Sequence, residues 1–276
     1  MNSQKITGTI GFLGFGNMGK AIAEGVVKAG LASPENILIK DPGLPSDTEQ
    51  SLAQKGYRFA GSQEELFRES SVVILAVKPQ IAKQEKENWA RIFAAIPGAG
   101  KTLISIMAGI KASWLREFAP RGSNVIRVMP NLGLSVGEGI TAIDTDGAGE
   151  FGIVEAIFSS CGTTVCVTED QMDAVTAVSG SGPMYLFEFI GAMTEAGVKA
   201  GLARDVAYKL ALQTAKGSLK LLETSSDTPE AWTNRVCSPG GTTLAALGVL
   251  QKEGFHGILE RAVAAAKKRS EELSGG

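Results

Sequence analysis

The sequence predicts an α/β protein, with an N-terminal, mostly parallel sheet wound on both faces and a C-terminal all-helical domain. Three observations predict it. An apolar strand runs straight into a glycine turn and a helix at Thr9–Lys20. Strand-like and helix-like runs then alternate as far as Val167, as parallel strands joined by helical crossovers do. Beyond Thr168 no strand-like run survives, and apolar residues recur at helical spacing.

The first element carries the strongest motif. Gly14, Gly16 and Gly19 have the G-x-G-x-x-G spacing of a dinucleotide-binding loop, between the apolar Thr9–Leu13 and the helical Lys20–Ala23. Gly14 permits the tight turn, Gly16 lets a pyrophosphate approach the backbone, and Gly19 brings the helix close to the strand. Asn17 and Met18 fall where bare N–H groups and the helix dipole attract phosphates. The N-terminal domain is therefore expected to be of Rossmann type.

The elements follow in order. The first helix ends at Gly30, with Pro34 beyond it. Asn36–Lys40 is the second strand, and Asp41-Pro42-Gly43 turns the chain. Asp41 stands about twenty residues beyond the loop, where a carboxylate bonds both ribose hydroxyls and disfavours a 2′-phosphate. Starting a turn before proline is its other reading. A helix near Thr48–Lys55 and a short strand at Tyr57–Ala60 come next, then a capping-box spacing at Ser62–Glu65. Val72–Val77 is apolar throughout, as a central strand covered on both faces must be. Lys78-Pro79 stops it at the edge where open α/β sheets bind ligands. Helices at Ile81–Ala95, Ser113–Phe118 and Phe151–Ser160 alternate with strands at Leu103–Ile106, Asn124–Val128, Gly139–Ile143 and Thr163–Val167.

The domain boundary falls at 168/169, where Thr168-Glu169-Asp170-Gln171 reads as a helix cap. Residues 1–168 form the dinucleotide-binding domain, and 169–276 a domain of five main helices, beginning at Pro183, Arg204, Pro229, Thr243 and Ile258. So apolar a helical domain buries more surface against a second copy of itself. Two clusters of small polar residues, Ser179–Pro183 and Ser238–Thr243, are each expected to open a helix and offer free N–H groups. The second is a site for a substrate carboxylate.

Bulk properties narrow the function. The chain has 276 residues and a net charge of −2, with no basic stripe to grip nucleic acid. Met1–Ile6 is polar and carries no basic-then-apolar signal, and no apolar run approaches membrane-spanning length. No nucleic-acid or membrane partner is expected, and the expected compartment is the cytoplasm. Cys161, Cys166 and Cys237 have neither the number nor the spacing of a disulfide framework or a zinc site, so no metal is expected. Cys161 and Cys166 read as packing residues. His256, the single histidine, lacks a partner that would position it as a base.

Six segments together resemble the pyrroline-5-carboxylate reductase family along nearly the whole chain. They are Gly11–Gly19, Ala76-Val77-Lys78-Pro79, Met129-Pro130-Asn131, Val178–Pro183, Gly197–Leu202 and Ser238-Pro239-Gly240-Gly241-Thr242-Thr243. The resemblance implies a helical domain that forms a homodimer, with decameric rings of dimers. It implies that Ala76, Val77, Lys78, Pro79 and Asn131 join the glycine loop in holding NADPH or NADH. It further implies that Ser238, Gly240, Gly241, Thr242 and Thr243 hold the carboxylate of a cyclic imine, with Thr243 on the ring nitrogen. A protonated imine is already electrophilic, which suits loops without a histidine or carboxylate acid. Two departures from the family stand out: Leu132-Gly133 stands where Thr-Pro is usual, and Met184 where alanine is. Asp41 departs from the small or basic residue of NADPH-using members and leaves the cofactor open. A related imine, a hydroxyacid or a purely nucleotide-sensing role are the alternatives.

Overall fold

The computed structural model describes residues 5–146 and 151–275. The polar N-terminal expectation over Met1–Gln4 lies outside them. The chain divides into two compact units, Met1–Ser181 with Ala266–Gly276, and Gly182–Ala265.

The first unit is built on one sheet. Its strands are β1 (Thr9–Leu13), β2 (Ile37–Lys40), β3 (Arg58–Phe59), β4 (Ser70–Leu75), β5 (Thr102–Ser105), β6 (Asn124–Met129), β7 (Gly139–Asp144) and β8 (Gly162–Val167). They lie in the order β3-β2-β1-β4-β5-β6-β7-β8. Every neighbouring pair is parallel except β6 and β7, which run antiparallel. The order reverses beside β1, between β2 and β4, which is where such sheets open a ligand crevice.

Alternation along the central strands builds two cores, because successive side chains point to opposite faces. Ile10, Phe12, Ile37, Ile39, Val72 and Ile74 face α1 (Asn17–Lys28), with Ile22 and Val26 of that helix closing over them. Leu13, Leu38, Val73, Leu75 and Leu103 face the other way. Next along the chain come α2 (Ser46–Gln54), α3 (Gln63–Glu69), α4 (Pro79–Ala94) and α5 (Ala112–Arg116). The second face is covered by Phe67 of α3, Trp89 and Phe93 of α4, and Leu115 of α5. The buried Trp89 donates its indole N–H to Gln63 Oε1 at 2.9 Å, so its one polar atom is satisfied. Then α6 (Gly152–Ser159) joins the α1 layer through Val154, Ile157 and Phe158.

Cys161 packs where the sequence places it: it is buried, and a Cβ at Gly25 of α1 would overlap its sulfur. Cys166 does not. It lies on the outermost strand, β8, and is exposed, so its reading as a packing residue is corrected. An edge strand has no neighbour on one side to cover it.

After β8, Thr168 and Gln171 form the expected capping box ahead of α7 (Met172–Val175). The second unit then contains α8 (Gly182–Lys199), α9 (Arg204–Thr224), α10 (Pro229–Val236), α11 (Thr242–Lys252) and the first half of α12 (Phe255–Gly275). Close packing of α8 on α9 depends on small residues: a Cβ on Gly197 would lie 2.9 Å from Ala207 Cβ. Within this unit only Thr194, Ala207 and Ala211 are buried among the described residues, while Phe187 and Leu210 stay 65% and 53% exposed.

Candidate active site

At the carboxyl edge of β1, Gly14 and Gly19 of the loop do the packing tasks the sequence proposes. Gly14 has φ +93°, and a Cβ there would sit 2.7 Å from the Ala76 carbonyl carbon and oxygen. Any side chain would push the loop off the end of β4. A Cβ on Gly19 would lie 2.7 Å from Gly14 O, so α1 could not approach its strand. Gly16 differs: nothing lies within 4 Å of the position its Cβ would take. The loop is anchored from both sides, since Gly14 donates to Lys40 O at 2.9 Å and Ala76 donates to Leu13 O at 2.8 Å. No side chain caps α1 and no acid lies in its first turn. The exposed Asn17 and half-buried Met18 thus begin a helix whose positive end is uncompensated, an arrangement that suits an anion.

Asp41 follows β2 and is half-buried. Its Oδ2 accepts from Phe15 N–H at 2.7 Å, inside the glycine loop, and its Oδ1 accepts from Gly43 N–H at 2.8 Å. The turn-forming reading of Asp41 therefore holds in the structure, and the same carboxylate ties β2 to the loop. Ala76 and Val77 are half-buried beyond β4, while Lys78 is exposed at the N-cap of α4 with Pro79 in that helix's first turn.

Asn131, at the end of β6, does more local work than the sequence reveals. Its Oδ1 accepts from Gly133 N–H at 3.2 Å and from Ile140 N–H at 3.3 Å. Its Nδ2 donates to Ser179 Oγ at 3.4 Å. It thereby caps the 3-10 turn Leu132–Val136, whose buried Leu134 joins the core beside α1. The Leu132-Gly133 departure has a physical reason. Proline at 133 would have no N–H to give Asn131, and a Cβ there meets Glu138 O at 2.6 Å.

The Ser179–Pro183 cluster leads into α8 at Gly182, as expected, but not from an open loop. Thr176–Gly180 is a π-helical turn that continues α7, and Ser181 N–H donates to Thr176 O at 2.8 Å. No sequence signal announces an i→i−5 bond, although such turns gather at functional sites. A Cβ on Gly180 would lie 2.6 Å from Met129 Cε, so the methionine tip would have to shift.

Ser238–Thr243, in the second unit, opens a helix as expected. Gly240 has φ +69°, and Gly241 donates to Ser238 O at 3.0 Å to close the turn. A Cβ on Gly241 would lie 2.5 Å from Ser238 Oγ. The helix α11 starts at Thr242 without a side-chain cap or an acid in its first turn, and Thr242 and Thr243 are exposed. Gly14–Gly19, Asp41, Ala76–Pro79 and Asn131 belong to the first unit, and Ser238–Thr243 to the second.

Elsewhere, Asp144 and Arg127 are buried at the β6–β7 junction. Arg127 pairs with Glu169 at 3.3 Å, and Arg116 approaches Asp144 at 3.9 Å. Burial raises the Asp144 pKa above the usual carboxylate value, against the opposing pull of the Asp146 N–H bond and of Arg116. His256 is exposed. Among the described residues no cluster of three His, Cys, Asp or Glu could hold a metal ion.

Comparison with known proteins agrees with this geometry. Residues 169–273 match the family model described as pyrroline-5-carboxylate reductase dimerisation, and residues 9–109 match the model described as NADP oxidoreductase coenzyme F420-dependent. A pyrroline-5-carboxylate reductase of Synechocystis is 38% identical, aligned over 96% of this chain and 97% of its own. The Arabidopsis thaliana pyrroline-5-carboxylate reductase is also 38% identical, over 96% and 95%. Among solved structures, the Plasmodium falciparum pyrroline carboxylate reductase with NADP bound superposes with a TM-score of 0.85 at 33% identity, covering 98% of this chain and 99% of that one. The Coxiella burnetii pyrroline-5-carboxylate reductase does so with a TM-score of 0.86 at 28% identity and the same coverage. With its glycine cradle, its helical second unit and relatives alike from end to end, the chain belongs to the pyrroline-5-carboxylate reductase family.

Proposed function

We propose that this protein reduces 1-pyrroline-5-carboxylate to L-proline with NADPH or NADH, the last step of proline biosynthesis. The observation that carries the reading is end-to-end similarity to enzymes of that name, at 38% identity over 96% of the chain. A reduced nicotinamide dinucleotide, when bound, supplies the hydride. Gly14, Gly16, Asn17, Met18 and Gly19 hold its pyrophosphate, with the open space at Gly16 admitting the close approach. Asp41 meets the adenine ribose, and Ala76, Val77, Lys78 and Pro79 border the dinucleotide where β4 ends. Asn131 acts beside them chiefly by fixing the turn after β6.

Ser238, Gly240, Gly241 and Thr242 hold the substrate carboxylate at the uncapped start of α11. Thr243 is the catalytic contact, its hydroxyl orienting the imine nitrogen. Because the protonated imine already attracts hydride, positioning supplies most of the acceleration. The labour divides between residues 1–168, which bind the dinucleotide, and 169–276, which bind substrate and dimerise. The functional form is a homodimer, assembled into a decamer, in the cytoplasm. Among the described residues no helix is long and apolar enough to cross a membrane.

The test is nucleotide oxidation on adding pyrroline-5-carboxylate to the wild-type protein and to Thr243→Ala. Wild type oxidises the nucleotide, and the variant turns over at least about tenfold more slowly with unchanged nucleotide affinity. Bound nucleotide that stays reduced in the wild type would refute the reductase, and wild-type turnover in the variant would refute the role of Thr243.

A further inference from the structure

We infer that this chain selects NADH over NADPH, and that the Asp41 carboxylate is the selecting group; the inference rests on dinucleotide binding at Gly14–Gly19 as proposed above. In a glycine loop of this kind, the acid beyond the second strand faces the ribose carbon that distinguishes the two cofactors. What the structure adds is that this acid is fixed. Phe15 N–H and Gly43 N–H hold one oxygen each, at 2.7 and 2.8 Å. A carboxylate clamped from two sides cannot swing away from an incoming 2′-phosphate. Each oxygen still has accepting capacity for a ribose hydroxyl.

The surroundings offer a 2′-phosphate no compensation. From Asp41 to Gln54 the chain has no lysine or arginine, and it adds two more acids, Asp47 and Glu49. Both acids sit in the first turn of α2, the helix start that would otherwise attract the phosphate. The two flanking cations already have other partners. Lys40 Nζ donates to Gly61 O at 2.8 Å, and Arg58 of β3 pairs with Glu69 at 2.5 Å. Lys55 lies past the far end of α2, roughly 13 Å from its start. A phosphate would therefore meet the Asp41 carboxylate with no arginine to bind it, whereas two ribose hydroxyls would meet two ready acceptors.

Calorimetric titration of the full-length protein with NADH and with NADPH, in the absence of imine, tests this. Wild type should bind NADH at least about tenfold more tightly than NADPH. Asp41→Ser should shift that ratio towards NADPH by about tenfold or more. Asp41→Asn, which removes the charge but keeps the shape and one acceptor, should shift it the same way if the serine variant does not fold. Equal or tighter NADPH binding by wild type, or an unchanged ratio in a folded variant, would overturn the inference. Failure of wild type to bind either nucleotide would overturn the dinucleotide reading beneath it, a distinct result.

Discussion

Gly133 donates its N–H to Asn131 and leaves no room for a Cβ against Glu138 O. Proline at this point would lose the donor and force the turn apart. Gly133→Pro is expected to cost about 3 kcal/mol, lowering Tm by about 5–10 °C in a thermal melt. The need for glycine at 133 is not visible in the sequence, because Ile140 reaches Asn131 and Glu138 reaches Gly133 only once β7 has folded back. Asp41 shows the same divide between chemistry and placement. Its spacing from the glycine loop marks it as a ribose ligand or a turn former, and the Phe15 and Gly43 bonds show that the turn and the clamp are one arrangement. Gly14 and Gly19 were the most legible residues, since each lacks a side chain for a packing reason the motif already states.

Elements were legible where their pattern is local. The continuous apolar run at β4 marks a strand covered on both faces, and Phe67, Trp89 and Phe93 do cover one of them. The antiparallel pairing of β7 is not local, because direction depends on a five-residue turn that reads as loop. Nor is the π turn at Thr176–Gly180, which precedes the helix start at Gly182. That antiparallel pairing aligns Val128 with Ile143 and draws Arg127 and Asp144 into the interior together. Asp144 Oδ2 lacks a hydrogen bond, while Oδ1 accepts from Asp146 N–H at 2.9 Å. Since burial raises the Asp144 pKa, its protonated form favours folding. That contribution is complete below the unfolded value, about 3.9, and is lost as pH rises through the higher folded value. Asp144→Asn keeps the Asp146 bond and removes the titration. The variant should lose less stability than wild type over that rise in pH, read as Tm against pH. Parallel Tm curves for the two proteins would contradict this origin of the pH dependence.

Across the molecule, apolar exposure is uneven. The first unit buries its large side chains in two layers, whereas the second leaves Phe187, Leu210, Leu212 and Leu219 largely uncovered. Exposed apolar area on this scale marks a contact surface, and the matching family model is one of dimerisation. Wild type should sediment as a dimer or larger at micromolar concentration. Phe187→Asp combined with Leu210→Asp should yield monomer; a wild-type monomer would remove the basis for the dimer. The sequence showed how apolar these helices are, but helical periodicity cannot distinguish an apolar face bound for its own core from one bound for another chain.

The final helix returns to the first unit. Ser270 Oγ bonds Asp173 Oδ1 at 2.6 Å, Lys83 Nζ reaches Leu273 O at 3.1 Å, and Gly109 lacks a Cβ where Leu273 lies close. During synthesis, the first unit thus waits for the helix that follows the second unit before its closing contacts can form. Folding there is vectorial only in part, and a nascent chain arrested before Ala266 would expose the Asp173 and Gly109 surfaces that this helix covers.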